Sequence, residues 1–209
     1  MNFKDWRKRI AERNDITGQL AHLTKPSGIE DTKMNALDVL IKILNDECIE
    51  GSTTESGFIC GNRRAVCLQD APLYSLAQNI YYEQKLKGDG KSKKIRYLGF
   101  GLSFSKPYVY KNNGRPVIYD RTEDAKKYLP ENEWWRIVNL DLTDDDNFID
   151  WTHEREWRVP DKFKFDLSEV SVLVPNENAY KKFLDECKNN DKDILDKVKS
   201  VINLGTLFY

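Results

Sequence analysis

Phe3, Trp6 and Ile10 recur with the spacing of one helical face, so 3–13 is predicted as a short amphipathic helix. Leu37, Leu40, Ile41 and Leu44 form a second stripe and predict a helix over 33–46. Leu73, Leu76 and Ile80 carry a third, opening at Pro72, which a first helical turn tolerates. Strand signals are shorter. They fall at 19–24, before the turn cluster Pro26, Ser27 and Gly28, and at 65–69. Others cover 95–105, which holds Gly99 and Gly101, then 116–119, and 170–174 before Pro175. Residues 152–159 alternate and end at Pro160, and 201–209 closes the chain as a strand. Helix is expected over part of 122–140 and as one or two polar helices in 177–199. A long polar loop runs from 50 to 64, a length at which loops often bind or cover something. Residues 87–94 read as a Gly/Lys loop, and Asp144, Asp145 and Asp146 as a solvated turn.

Helices and strands are interspersed without strict alternation, which predicts an α+β fold rather than a doubly wound sheet. No linker interrupts the 209 residues, so 1–209 is expected to be one domain. Apolar residues make up 40%, enough for a real core, and the aromatic content of 11% argues against disorder. Lys plus Arg (33) against Asp plus Glu (34) leaves a charge of −1, which excludes binding by bulk cationic attraction. A local cluster remains in Lys91, Lys93, Lys94 and Arg96. No apolar run reaches the ~18 residues of a membrane span, and the first residues lack the apolar core of a signal peptide. Cys48, Cys60, Cys67 and Cys187 form no CxxC pair, and His22 and His153 are the two histidines. No metal site is expected, and the sparing use of cysteine fits a cytoplasmic protein.

Four segments could carry chemistry. In Trp151-Thr152-His153-Glu154-Arg155-Glu156-Trp157-Arg158-Val159, strand alternation would put Thr152, Glu154, Glu156 and Arg158 on one face. Two like-charged carboxylates at that spacing raise each other's proton affinity, and a cleft could use them to orient a hydroxyl or stabilise a cation. The plainer reading pairs the glutamates with Arg155 and Arg158 as surface ions. His22 and Thr24, two residues apart on a strand, could hydrogen-bond a polar ligand, or His22 could be a satisfied core residue. Arg63 and Arg64 end the long loop, where paired guanidinium groups suit a diphosphate, or form a surface basic pair. The last segment holds Gly99, Gly101, Ser103, Tyr108 and Tyr110, and its GxG more often marks close packing than a ligand loop.

Together, His-x-Thr, an Arg before Val66-Cys67 with Pro72-Leu73, a glycine-bearing strand, Gly114-Arg115-Pro116-Val117-Ile118-Tyr119 and the W-x-x-E-x-E-W-R-V element resemble a bacterial group. It comprises the abortive-infection proteins of AbiGi type, distant kin of DarT-type DNA ADP-ribosyltransferases. The resemblance runs from about His22 to Val159 and is most specific at Glu154 to Val159. It implies an ADP-ribosyltransferase-like split antiparallel sheet with flanking helices and NAD as co-substrate. It implies Glu156 as the carboxylate at the nicotinamide ribose, with Glu154 as the first acid of the pair. His22, with Thr24 beside it, would serve the adenosine side, Arg63 or Arg64 the diphosphate, and Gln69, Ser103 and Tyr110 the remaining NAD contacts. Departures exist: DarT-type proteins lack the W-x-x-E-x-E-W form and carry more basic surface.

The expected function is an NAD-dependent ADP-ribosyltransferase, a toxin or phage-defence effector that modifies a nucleic-acid base. Single strands expose such a base, and Trp134 and Trp135 could stack on it, although such residues are more often core. An antitoxin partner would follow, and no membrane. Alternatives are a transferase acting on protein, a non-catalytic binding module or antitoxin of the same fold, and, least favoured, a metal nuclease built on Asp144, Asp145 and Asp146 with Glu154 and Glu156. On this reading Glu156→Gln, being isosteric, should stop turnover and leave folding intact.

Overall fold

The computed structural model describes residues 1–27, 33–90, 98–189 and 193–208. Helix α1 (Phe3–Ala11) starts where the Asn2 side chain accepts from the Asp5 amide at 2.9 Å. Strand β1 (Gln19–Leu23) leads to α2 (Ala36–Asp46), which a reciprocal capping box of Asn35 and Asp38 opens. Then come β2 (Cys48–Glu50), β3 (Ala65–Gln69) and α3 (Leu73–Gly88). Ser105 ends β4 (Gly101–Ser105) and caps α4 (Lys106–Lys111). Next are β5 (Arg115–Pro116), β6 (Ile118–Asp120), α5 (Thr122–Tyr128) and β7 (Ile137–Asn139), with a 3-10 turn at Glu131–Arg136 before β7. The chain closes with β8 (Glu156–Pro160), β9 (Lys162–Lys164), β10 (Ser171–Val174), α6 (Glu177–Lys188), α7 (Ile194–Lys197) and β11 (Ser200–Asn203).

This is an α+β protein with seven principal strands, mixed but mostly antiparallel, in two compact units. The first unit holds residues 1–47, 71–104 and 165–209, and its strands run β11-β10-β4-β1. There β10 and β11 are parallel and β10 and β4 antiparallel. Ala21, Leu76, Ala77, Ile80, Leu173 and Leu204 pack as one apolar cluster in which α3 covers the strands. The second unit holds residues 48–70 and 105–164, with strand order β3-β8-β5, both pairs antiparallel. It adds the antiparallel pair β2-β9 and the parallel pair β6-β7.

Three predicted strands are shorter than their patterns. Of the segment 95–105, residues 98–105 are described, and there the strand begins at Gly101, with Gly99 at φ +79° before it. A Cβ on Gly99 would meet the Pro175 Cβ at 2.8 Å, and one on Gly101 would meet the His22 carbonyl oxygen at 2.3 Å, so both glycines serve close packing. The segment 152–159 becomes a strand only at Glu156, since residues 152–154 form a 3-10 turn and Arg155 is left-handed at φ +47°. The final strand stops at Asn203, whose side chain accepts from the Gly205 amide and starts a 3-10 turn. Strand β9 was not anticipated. Its three residues, Lys162-Phe163-Lys164, carry one buried apolar side chain and pair with the distant β2. The predicted solvated turn forms at Asp144, whose side chain accepts from the Asp146 amide.

Candidate functional site

The β3–β8 ladder of the second unit fixes the geometry. Its register runs from Ala65 opposite Pro160 to Gln69 opposite Glu156, with Cys67 opposite Arg158 in between. Pleating places Cys67 and Gln69 on the same face as Glu156 and Arg158. Glu154 reaches this face by a different route from the strand alternation expected for it. The left-handed Arg155 turns the chain between the two glutamates, and the Glu154 carboxylate accepts from the Gln69 side-chain amide. Glu154 Oε1 lies 3.7 Å from His153 Nε2. Both carboxylates are therefore gathered around Gln69 at one end of the ladder, with side chains only 16% and 15% exposed.

Arg158 is 2% exposed and uses all five of its N–H donors. Nε donates to Glu156 Oε1 at 2.8 Å and one terminal nitrogen to Glu156 Oε2 at 3.4 Å. The remaining donors reach the carbonyls of Trp135 (2.7 Å), Ile137 (3.1 Å) and Phe58 (3.1 Å). Among the described residues, Glu156 is the one carboxylate in ion-pair range of this guanidinium. Cys67 adds no second counter-charge, because burial pushes its thiol up to about 12. The plainer reading of the motif as an ion pair thus holds for Glu156 and Arg158, except that the pair is buried. The Glu156 amide donates to the Tyr119 hydroxyl at 2.8 Å, and burial keeps that phenol above its ordinary pKa.

A second charged group follows Gln69. Asp70 pairs with Lys106 Nζ at 2.7 Å, and Arg155 approaches its other oxygen at 4.0 Å. The Asp70 amide donates to the Arg155 carbonyl at 3.1 Å, which helps to hold the left-handed turn.

The other expected residues are placed as follows. Arg63 pairs with Asp161 at 2.6 Å, which raises its already high pKa through that hydrogen bond. It stands two residues before Ala65, at the opposite end of the ladder from Glu156, and Ala65 is itself four strand steps, roughly 13 Å, from Gln69. Arg64 is at that same end, exposed and without an ion pair among the described residues. Tyr110 is 52% exposed, with the Arg115 guanidinium 4.0 Å above its ring. His22, Thr24 and Ser103 belong to the first unit. The Thr24 hydroxyl donates to the Ala36 carbonyl at 2.8 Å and is buried, and Ser103 is buried on β4. Trp135 is 3% exposed, and the Trp134 indole donates to the Leu129 carbonyl. Of the two tryptophans weighed as stacking or core residues, Trp135 is core and Trp134 is half-buried. Lys91, Lys93, Lys94 and Arg96 lie outside the described residues.

Among the described residues, no group of three or more His, Cys, Asp or Glu side chains is arranged to hold a metal ion, and no helix is long and apolar enough to cross a membrane. A pocket of about 350 Å³ in the first unit is lined by Asp38, Lys42, Asp46 and Glu186 and includes none of the expected site residues. Nothing in the sequence marked Tyr119 as a neighbour of Glu156, or the Asp70–Lys106 pair beside Arg155. The one signal for Arg158 was its place two residues after Glu156, hence on the same strand face. No family model, curated protein or solved structure matches this chain.

Proposed function

We propose that the chain is an NAD-dependent ADP-ribosyltransferase, a cytoplasmic toxin or phage-defence effector whose acceptor is a base of single-stranded nucleic acid. The observation that carries this reading is the convergence of Glu154 and Glu156 around Gln69 at one end of the β3–β8 ladder. The mostly antiparallel strands support a split-sheet fold of the ADP-ribosyltransferase kind. Four free thiols are in keeping with the cytoplasm. An antitoxin partner is part of the same proposal.

The donor set fits the nicotinamide side of NAD, because carboxylates accept from ribose hydroxyls and stabilise positive charge. NAD, when bound, supplies an ADP-ribosyl group on a leaving nicotinamide. Glu156, fixed by Arg158, offers a preorganised negative charge where cationic character develops, which is commonly a large catalytic contribution. Glu154, held through one oxygen by Gln69, is the carboxylate to accept a proton from the incoming nucleophile, a role worth ~10²–10⁴-fold. The Arg63–Asp161 pair fits the diphosphate poorly, being already neutralised and at the other end of the ladder.

The test is incubation with NAD and single-stranded RNA or DNA, with and without EDTA, following nicotinamide release and the mass of the oligonucleotide. Release with a mass gain that persists in EDTA supports the reading. Glu154→Gln should depress transfer more than the slow hydrolysis of NAD by water, since water needs less orientation than a base. Equal losses would refute that division of labour. A second reading, a non-catalytic binding module, draws on Glu156 being tied to a buried arginine; it requires NAD to remain intact with every acceptor, protein included.

A further inference from the structure

We infer that Arg158 is the positioning residue of the site: it holds the Glu156 carboxylate in one orientation by anchoring it to three main-chain carbonyls. This rests on the reading of Glu156 as the carboxylate that acts on NAD. A strand glutamate carries three side-chain torsions and would otherwise sample several rotamers. Here Nε and a terminal nitrogen of one planar guanidinium engage both carboxylate oxygens. The geometry is fixed because the same plane is pinned from its other edges. Trp135 and Ile137 flank the entry to β7, and Phe58 belongs to the long polar loop. The carboxylate orientation is therefore set by two separate chain segments, through a group that has no donor left for a ligand.

Arg158 touches no substrate in this scheme, so it acts through Glu156. The pairing occupies one side of each carboxylate oxygen, and ionised carboxylates have about four acceptor positions, so Glu156 retains capacity for a ribose hydroxyl. Lysine cannot replace this anchor. It keeps the charge but supplies three donors from a single point, with no planar fork to match two oxygens and three carbonyls.

The experiment has two arms. In the first, Arg158→Lys is compared with wild type for nicotinamide release, at a temperature where circular dichroism shows both folded. The expected result is a kcat lower by on the order of 10²-fold, the cost of a misplacement near 1 Å, with KM for NAD within twofold. A kcat within threefold of wild type, or a KM that rises in step with the loss, overturns the proposal. The second arm needs no activity and covers an Arg158→Lys protein that does not fold. Urea midpoints are measured for Glu156→Gln, Arg158→Met and the double variant. A double variant more stable than either single variant shows that Arg158 holds Glu156, and additive losses refute it. Wild type that releases no nicotinamide with any acceptor sinks the transferase reading alone, and the urea cycle still decides whether the carboxylate is clamped. A folded double variant that cleaves NAD at the wild-type rate overturns the catalytic meaning of the clamp.

Discussion

The β3–β8 ladder carries an arginine–carboxylate pair at each end, and the two differ in almost everything except chemistry. Arg158 and Glu156 meet with side chains 3% and 15% exposed, whereas Arg63 and Asp161 meet at 36% and 57%. The first guanidinium also serves three carbonyls, while among the described residues the second is bonded to its carboxylate alone. Desolvation is costly at the buried end, so each charge there depends on the other. At the exposed end water solvates either charge alone, and the pair contributes little. Motif residues that look equivalent in sequence thus bear very different loads.

The largest expected effect follows from breaking the buried pair on one side only. Glu156→Gln leaves an ionised guanidinium without its counter-charge, and such changes cost roughly 3–5 kcal/mol. This replaces the expectation that the isosteric change would leave folding intact. Equilibrium urea unfolding should show it directly. A midpoint equal to that of wild type would mean the pair is no more demanding than the surface one, and the contrast between the two ends would collapse.

Gln69 comes next. Its amide donates to the half-buried Glu154 carboxylate, so Gln69→Leu keeps the bulk but removes the donor. Losing a donor to a charged, half-buried acceptor costs about 1–3 kcal/mol. Thermal unfolding should place Gln69→Leu between Glu156→Gln and any change at Arg63. A larger loss than that of Glu156→Gln would shift the stability of this end from the arginine clamp to the glutamine.

The buried end also has a pH signature. The folded Cys67 thiol, pushed up to about 12, holds its proton more tightly than an unfolded thiol with a pKa near 9. Its contribution is complete below about pH 9 and fades as pH rises toward 12 because the unfolded chain ionises first. Wild type should therefore lose stability across pH 9–10.5 by up to roughly 1.4 kcal/mol per pH unit more than Cys67→Ala. Parallel curves for the two proteins would show that the thiol is not desolvated in the folded state.

How far this contrast was readable beforehand depends on the range of the forces involved. The apolar stripe Leu37, Leu40, Ile41 and Leu44 and the capping residues Asn35 and Asp38 are local, and α2 formed close to its prediction. Pro175 likewise ended β10 as expected. The strand over 152–159 was half right, because alternation says nothing about the left-handed Arg155 that an Asp70 amide helps to hold. Strand β9 depends on pairing with β2 more than a hundred residues earlier, which no local pattern encodes. Within the candidate site, Glu154 and Glu156 stand in one motif, but the meeting of Glu154 with Gln69, 85 residues away, and the burial of Arg158 were not legible. That burial is created by carbonyls of Phe58, Trp135 and Ile137, which any residue types could supply.

The smallest effect belongs to the exposed pair, and it sharpens the comparison most. Arg63→Ala should change stability by less than about 1 kcal/mol, as surface pairs usually do. That difference should shrink further at 1 M salt, where the screening length is about 3 Å. KM for NAD should also stay unchanged, because Asp161 already neutralises Arg63 at the end of the ladder away from Glu156. Arg64→Ala is the informative companion, since Arg64 is exposed and has no ion pair among the described residues. Isothermal titration of NAD into both variants separates the cases. If Arg64→Ala weakens NAD binding fivefold or more while Arg63→Ala does not, the diphosphate lies on Arg64, and both ends of the ladder belong to one ligand. If neither variant changes binding, the arginines at this end are surface residues and the chemistry is confined to the carboxylate end.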